Sequence, residues 1–279
     1  MSNRVMSWAF GLIFGVVAGL AFSPMSFAQA GERSGTGKSS IPNLSGTWGV
    51  AHGPRAGYTN PGYSMTREEP SMTPWAAEQY KKIREGTTPR DPERLRRVGN
   101  FDRGNEKLDP SEIHCLPWGP TRLFTFDHPF EIIQTPNVVY MLFEGDHAVR
   151  RVYMDGRTHR GMYKTYMGHS IGKYDGDALV VDTEALKGLT WLDTMGHVHT
   201  DQLHIVERIS RPEQDTLQID FTFTDPKAYT KPWTGTRVFE LLRGTKAEIL
   251  EYITCEDHLD YDHVPRLLRG EPELVDKAP

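Results

Sequence analysis

From Phe130 onward the chain takes up a two-residue hydrophobic period and holds it almost to its end. Segments 130–135, 138–144, 149–154, 169–174, 178–182, 204–210, 216–224, 236–242 and 249–255 alternate apolar and polar side chains, as half-buried strands do. Most are separated by turn signals: Thr-Pro-Asn, Glu-Gly-Asp, Asp-Gly-Arg, Asp-Gly-Asp, Arg-Pro-Glu-Gln-Asp and Arg-Gly-Thr-Lys. Connections this short make neighbours antiparallel. An earlier strand at 44–50 brings the number to about ten, and a sheet that wide closes into a barrel or splits into a sandwich, because open edges invite aggregation.

The amino terminus reads as an export signal. Arg4 supplies the positive charge, Trp8 to Phe22 is an apolar run too short to span comfortably, and Ala28-Gln29-Ala30 is an A-x-A cleavage site. Residues 1–30 are therefore expected to be a signal peptide and 31–40 a flexible polar leader. Residues 41–279 then form a single domain that is periplasmic or secreted, with no membrane span after cleavage. The formal net charge is −5 and Arg4 is the leader's one charge, so cleavage lowers it by one. A mildly acidic chain does not suit nucleic acid as a partner. Cys115 and Cys255 are the only cysteines, and in an oxidising compartment so distant a pair reads as a disulfide.

Between the first strand and the periodic region lies an insertion, 52–128, of loops and one helix. Thr73 is suited to cap that helix, Pro74 to open it and Gly86 to stop it. Trp75, Gln79, Ile83 and Tyr80 give it a narrow apolar stripe, so it belongs on a surface. The run 89–105 is strongly charged and reads as solvated. The tail 259–279 holds one short helix candidate near 265–269.

Chemistry-bearing residues concentrate between Tyr166 and Arg211, which holds His169, His197, His199 and His204 of the eleven histidines. A histidine oriented by Asp193 or Asp201 is a competent general acid or base, and Tyr166 is placed to stabilise an oxyanion. The expected catalytic group is thus His169, His197, His199, Asp193, Asp201 and Tyr166. Trp191, His204, Glu207, Arg237, Tyr229 and Trp233 are the expected substrate-binding residues, the aromatics stacking a planar ligand. No cofactor is required by this reading. The alternative is a transition metal such as zinc or iron on His197, His199 and His204, since H-x-H on a strand puts two imidazoles on one face. His199 and His204 differ in parity, so that set needs an intervening turn. Gly168-His169-Ser170-Ile171-Gly172 lacks the strand-to-helix turn of a nucleophile elbow. Asp155-Gly156-Arg157 and Asp175-Gly176-Asp177 read as hairpin turns rather than calcium loops. Asp225 to Trp233 reads as a rigid loop over the barrel mouth.

Two resemblances add to this. Gly46-Thr47-Trp48 resembles the G-x-W signature of lipocalin-type calycin barrels. That likeness implies a tryptophan closing the barrel floor beneath a basic residue from a late strand, here Arg237 or Arg243. The insertion 52–128 departs from the calycin pattern. The blocks MTPWA (72–76), CLPWGPTR (115–122), EIIQTP (131–136), RRVYMDGR (150–157), MGHSIGKYDGDALVVDT (167–183), WLDTMGHVHTDQLHIVER (191–208) and DPKAYTKPWT (225–234) resemble a family of secreted soil-bacterial proteins. This likeness implies one compact secreted barrel in organisms that degrade aromatic and plant-derived compounds.

Together these readings give an all-β, antiparallel, lipocalin-like (calycin) β-barrel of about eight to ten strands. The functional expectation is a secreted enzyme whose His/Asp pocket performs lyase or isomerase chemistry on a small hydrophobic, aromatic, lignin-type molecule. The alternatives are a non-catalytic periplasmic carrier of a hydrophobic ligand and a His-ligated metal enzyme.

Overall fold

Among the described residues, nine strands close into one barrel in chain order: β1 (Gly46–Val50), β2 (Phe130–Gln134), β3 (Val138–Phe143), β4 (Val149–Tyr153), β5 (His169–Asp175), β6 (Ala178–Glu184), β7 (His204–Glu213), β8 (Thr216–Thr224) and β9 (Trp233–Leu241). The structure is a computed structural model and describes residues 41–51, 64–66, 68–85 and 108–251. The chain divides into the units Met1–Lys38 and Ser39–Pro279, and all described residues belong to the second. The expected signal peptide and leader, the charged run 89–105, the helix candidate near 265–269 and Cys255 lie outside the described residues. Cys115 is not a free thiol. No helix among the described residues is long and apolar enough to cross a membrane.

Closure is made by β1, which pairs antiparallel with β2 on one side and with β9 on the other, Trp48 lying opposite Leu241. The expected all-antiparallel pairing fails at one place: β4 and β5 run parallel, Val152 opposite Ser170. The reason is the connection. Residues 154–168 do not turn back as a hairpin; they leave the sheet as a strap over its outer face and return so that β5 starts beside the end of β4, Tyr153 opposite Ile171. Thr165 of the strap bridges to Leu186 in a parallel pairing. Several strand bounds also differ: β6 and β7 run on to Glu184 and Glu213, past the expected 182 and 210. β9 starts at Trp233 rather than near 236, and residues 249–251 of the expected last strand are not extended ladder.

The pleat decides which side chains enter the barrel. Leu179 and Val181, Ile205 and Ile209, Leu217, Ile219, Phe221 and Phe223 alternate inward along β6, β7 and β8 and are fully buried. At roughly 1.5–3 kcal/mol for each such side chain, this apolar lining supplies most of the favourable energy of the sheet. Phe124 enters the mouth from a short 3₁₀ turn, Arg122–Thr125. Its ring lies 5.1 Å from Phe130 and Phe143 and 5.7 Å from Phe221 and Phe239. Deeper in, Arg150 of β4 forms a bidentate pair with Glu207 of β7, one bond at 2.8 Å. The same guanidinium reaches Ser170 of β5 and Thr183 of β6.

Trp48 is fully buried and donates its indole N–H to Leu44 O at 3.0 Å. The basic group over it is neither Arg237 nor Arg243. Arg211, at the end of β7, holds its guanidinium 5.2 Å from the Trp48 ring. Arg243 instead pairs with Asp215 on the surface, and Arg237 points into the opposite end of the barrel interior. The helix α1 (Pro74–Arg84) begins as expected, with Thr73 Oγ1 accepting from Ala76 N and proline at its first turn. Its buried side carries Ala76 and Ile83, with Tyr80 half-buried between them, while Trp75 stays exposed. A second, one-turn helix, α2 (Pro110–Ile113), is capped by Asp109. Asp109 also holds the buried Arg122.

Candidate functional site

At the end of the barrel opposite the short hairpins, residues 191–198 fold back on themselves. Trp191 bridges to Val198 and Leu192 N donates to His197 O at 2.8 Å. The turn between them is built on Asp193. Its Oδ1 accepts from Met195 N at 3.1 Å and His197 N at 3.3 Å, the short-range bonding that suits aspartate to turns. Gly196 follows with φ +99, and α1 packs so closely there that a β-carbon would lie 2.3 Å from Ile83 Cγ2. This turn places the His197 ring in the interior.

His197 lies between two carboxylates. Its Nδ1–H donates to Asp193 Oδ2 at 2.7 Å and its Nε2–H to Glu69 Oε2 at 2.8 Å. Asp193 is fully buried and takes further bonds from Met65 N and Ser64 Oγ. The imidazole stacks on Tyr80 of α1, centroids 4.4 Å apart, and leans on Trp233 at 4.8 Å. Tyr80 in turn donates its hydroxyl to Glu69 Oε1 at 2.9 Å. Asp193 and His197 are closed from solvent, whereas 57% of the Glu69 side chain is exposed.

Charge follows from this geometry. Burial pushes the His197 pKa down, but the Asp193 charge and the hydrogen bonds from both carboxylates outweigh it and raise the value to about 9. Burial pushes Asp193 and Glu69 up, and the imidazolium overcomes it, holding both below the ordinary carboxylate value. At neutral pH the site is therefore carboxylate, imidazolium, carboxylate. Burial and the anionic Glu69 raise the Tyr80 phenol, so it stays a donor. Arg237, fully buried nearby, donates to Ser64 O at 3.0 Å, and burial lowers its pKa to about 10.

Glu69 opens onto a cleft of about 460 Å³ lined by Thr66, Glu68, Glu69, Lys231, Trp233 and Thr234, among others. The expected loop 225–232 forms one side of it. Asp225 holds that loop by accepting from Lys227 N and Thr200 N, and Thr230 N donates to Ser71 O at 2.8 Å. Trp233 donates its indole N–H to Thr66 Oγ1. Lys231 makes no ion pair among the described residues.

The other expected site residues are dispersed. His199 is buried with both nitrogens used, Nδ1–H donating to Thr200 O and Nε2 accepting from Thr190 Oγ1, so it is no acid or base for the cleft. Asp201 is exposed and paired with Lys164 and Lys227. Tyr166 lies under Lys187, 4.6 Å from its ring. His169 and His204 face outward from β5 and β7, away from the barrel interior. Glu207 is the partner of Arg150, and Trp191 lies against the Arg122 guanidinium. Tyr229 donates to Val198 O, which braces the turn rather than a ligand. The metal set His197, His199, His204 is not assembled, because each ring is committed to different partners. Of the expected residues, Asp193, His197, Arg237 and Trp233 come together. Glu69 and Tyr80 were not foreseen: Glu69 sits beside Pro70 in an aperiodic loop, and Tyr80 reads as part of a helix stripe.

No protein-family model matches the chain, and no curated protein matches it.

Proposed function

We propose that the protein is an acid–base enzyme of lyase or isomerase type acting on a small aromatic compound, with Glu69 as the group that transfers the proton. The observation that carries this reading is the line Asp193–His197–Glu69. A fully buried ion pair ends on an exposed carboxylate, and that carboxylate lines a cleft beside Trp233. The ligand's ring lies in the cleft beside Trp233, and the Lys231 ammonium meets an oxygen of its side chain. Glu69 removes a proton from the carbon next to that oxygenated group. The developing negative charge is met by Lys231. The electron pair then expels a leaving group from the adjacent carbon, or the proton returns at a different carbon. Asp193 and His197 hold Glu69 oriented, and a ligand that excludes water from the cleft raises its basicity.

The carrier reading has less support, because the barrel mouth is occupied by the rings around Phe124 and the interior by the Arg150–Glu207 network. Export and the Cys115–Cys255 bridge belong to this proposal as well. They rest on the leader sequence and on the compartment that such a leader addresses.

The test is a panel of small aromatic compounds bearing a carbonyl or carboxylate side chain, incubated with the protein in D₂O and followed by NMR. The wild type is expected to form product or incorporate deuterium. Glu69→Gln is expected to slow this by about 10²-fold or more with binding retained. Turnover unchanged by Glu69→Gln would overturn the assignment. Compounds that bind without exchange or product would make the protein a carrier.

A further inference from the structure

On the outer wall, beneath the strap, four segments bring imidazoles and carboxylates together. Across β5 and β6, Ser170 and Thr183 face each other inside the barrel, so the next pair, His169 and Glu184, faces out. Asp182 is outward by the same alternation, as is His204 at the start of β7, two residues before Val206, the partner of Asp182. His159 reaches this face from the strap.

The groups converge on Asp182. Its Oδ1 accepts from His159 Nε2 at 3.1 Å and from His204 Nε2 at 2.9 Å. Donor atoms of Asp182, Glu184 and His204 all lie within 4.8 Å of one another. His159 turns its other nitrogen to His169, Nδ1 to Nδ1 at 2.8 Å. An ionised carboxylate only accepts, so both Nε2 atoms donate to Asp182, and His159 Nδ1 accepts a hydrogen bond from His169 Nδ1–H. His169 itself is 5% exposed, and its Nε2 has no partner. Neither Asp182 nor Glu184 pairs with a lysine or arginine among the described residues. Two carboxylates thus project from alternate positions of one strand with imidazoles, rather than fixed cations, around them.

We propose that Asp182, Glu184, His204 and His159 form a site for a divalent first-row transition ion of the zinc class. Two imidazoles and two carboxylates are a donor set that suits zinc, iron(II) or manganese and does not suit calcium. Ligands bonded at about 2.0–2.1 Å in a tetrahedron stand roughly 3.4 Å apart, so the His159–Asp182 and His204–Asp182 pairs open by a few tenths of an ångström, Glu184 closes in from within 4.8 Å, and His159 moves toward the other two with the strap. His159 Nε2 gives up its proton on binding. The proton shared with His169 passes to His159 Nδ1 and His169 takes one at Nε2, so both rings stay neutral and His159 Nδ1–H donates to His169 Nδ1, which makes His169 a positioning residue behind the ligand. The Asp182 and His204 side chains are 41% and 37% exposed, so the ion is reached from solvent. Because His159 belongs to the strap and the others to β6 and β7, the ion pins the strap to the wall. This set shares only His204 with the metal alternative read from the sequence.

The test uses the purified protein and the metal alone. Zn²⁺ titration by calorimetry, with metal analysis after dialysis, is expected to give one ion per chain, and Co²⁺ to give visible ligand-field bands. Asp182→Asn and His204→Ala are expected to weaken binding more than about 100-fold, and His169→Ala by about 10–100-fold. Glu184→Gln changes an exposed side chain and keeps the fold, which circular dichroism checks, yet it too is expected to weaken binding and alter the Co²⁺ spectrum. The absence of one-to-one binding, or binding equally tight in Asp182→Asn and Glu184→Gln, overturns the proposal.

Discussion

At the scale of single residues, the molecule turns on His197. Its pKa is raised from 6.5 to about 9, so its contribution to stability is complete below 6.5 and is lost as pH rises toward 9. That interval corresponds to on the order of 3 kcal/mol. Asp193 has the opposite sign: depressed below 3.8, its share is present above that pH and lost beneath it. Urea midpoints measured from pH 6 to 9.5 are therefore expected to fall with rising pH, and Asp193→Asn to flatten that slope. The same substitution breaks a buried pair, at about 3–5 kcal/mol. A wild-type midpoint constant across this range would contradict the assignment. Asp193 and His197 were legible in the sequence because an acid four residues before a histidine, across a Gly turn, is a local arrangement. Glu69 was not, since its link to His197 spans 128 residues and carries no periodic mark.

At the scale of elements, local pattern served the hairpins well and the crossing badly. β8 has the bounds that its alternation implies, and the Asp-Gly and Gln-Asp turns join antiparallel partners. The strap is different. Nothing in 154–168 states that it loops over the outer face instead of closing a hairpin, so the parallel β4–β5 pair and the outward site beneath it were invisible. One residue controls its return to the sheet. Gly168 has φ +66, and a β-carbon there would stand 2.8 Å from Glu184 O, a backbone atom that cannot step aside. Gly168→Ala is expected to cost about 1–3 kcal/mol and to speed amide exchange across 154–168 before the hairpin strands are affected. Uniform protection across strap and hairpins would count against this account.

At the scale of the whole molecule, the barrel is filled rather than hollow. Arg150 and Glu207 join β4 to β7 through the interior, with Ser170 and Thr183 satisfying the remaining donors. Removing one partner strands a buried charge, so Arg150→Met alone is expected to cost about 3–5 kcal/mol, and Arg150→Met with Glu207→Leu distinctly less. Chemical denaturation of the two variants checks this, and additive losses would show that the pair is not coupled. The sequence by itself determined the all-β class, the approximate strand bounds and the capped surface helix, because a two-residue or 3.6-residue period is set by local backbone geometry. Only the tertiary structure decided the parallel pair, the partner of Trp48 and the separation of the histidines into an interior ring, a satisfied turn and an outer cluster. Those outcomes depend on which distant segments meet, and a side chain's chemistry is set by what packs against it, not by its neighbours along the chain.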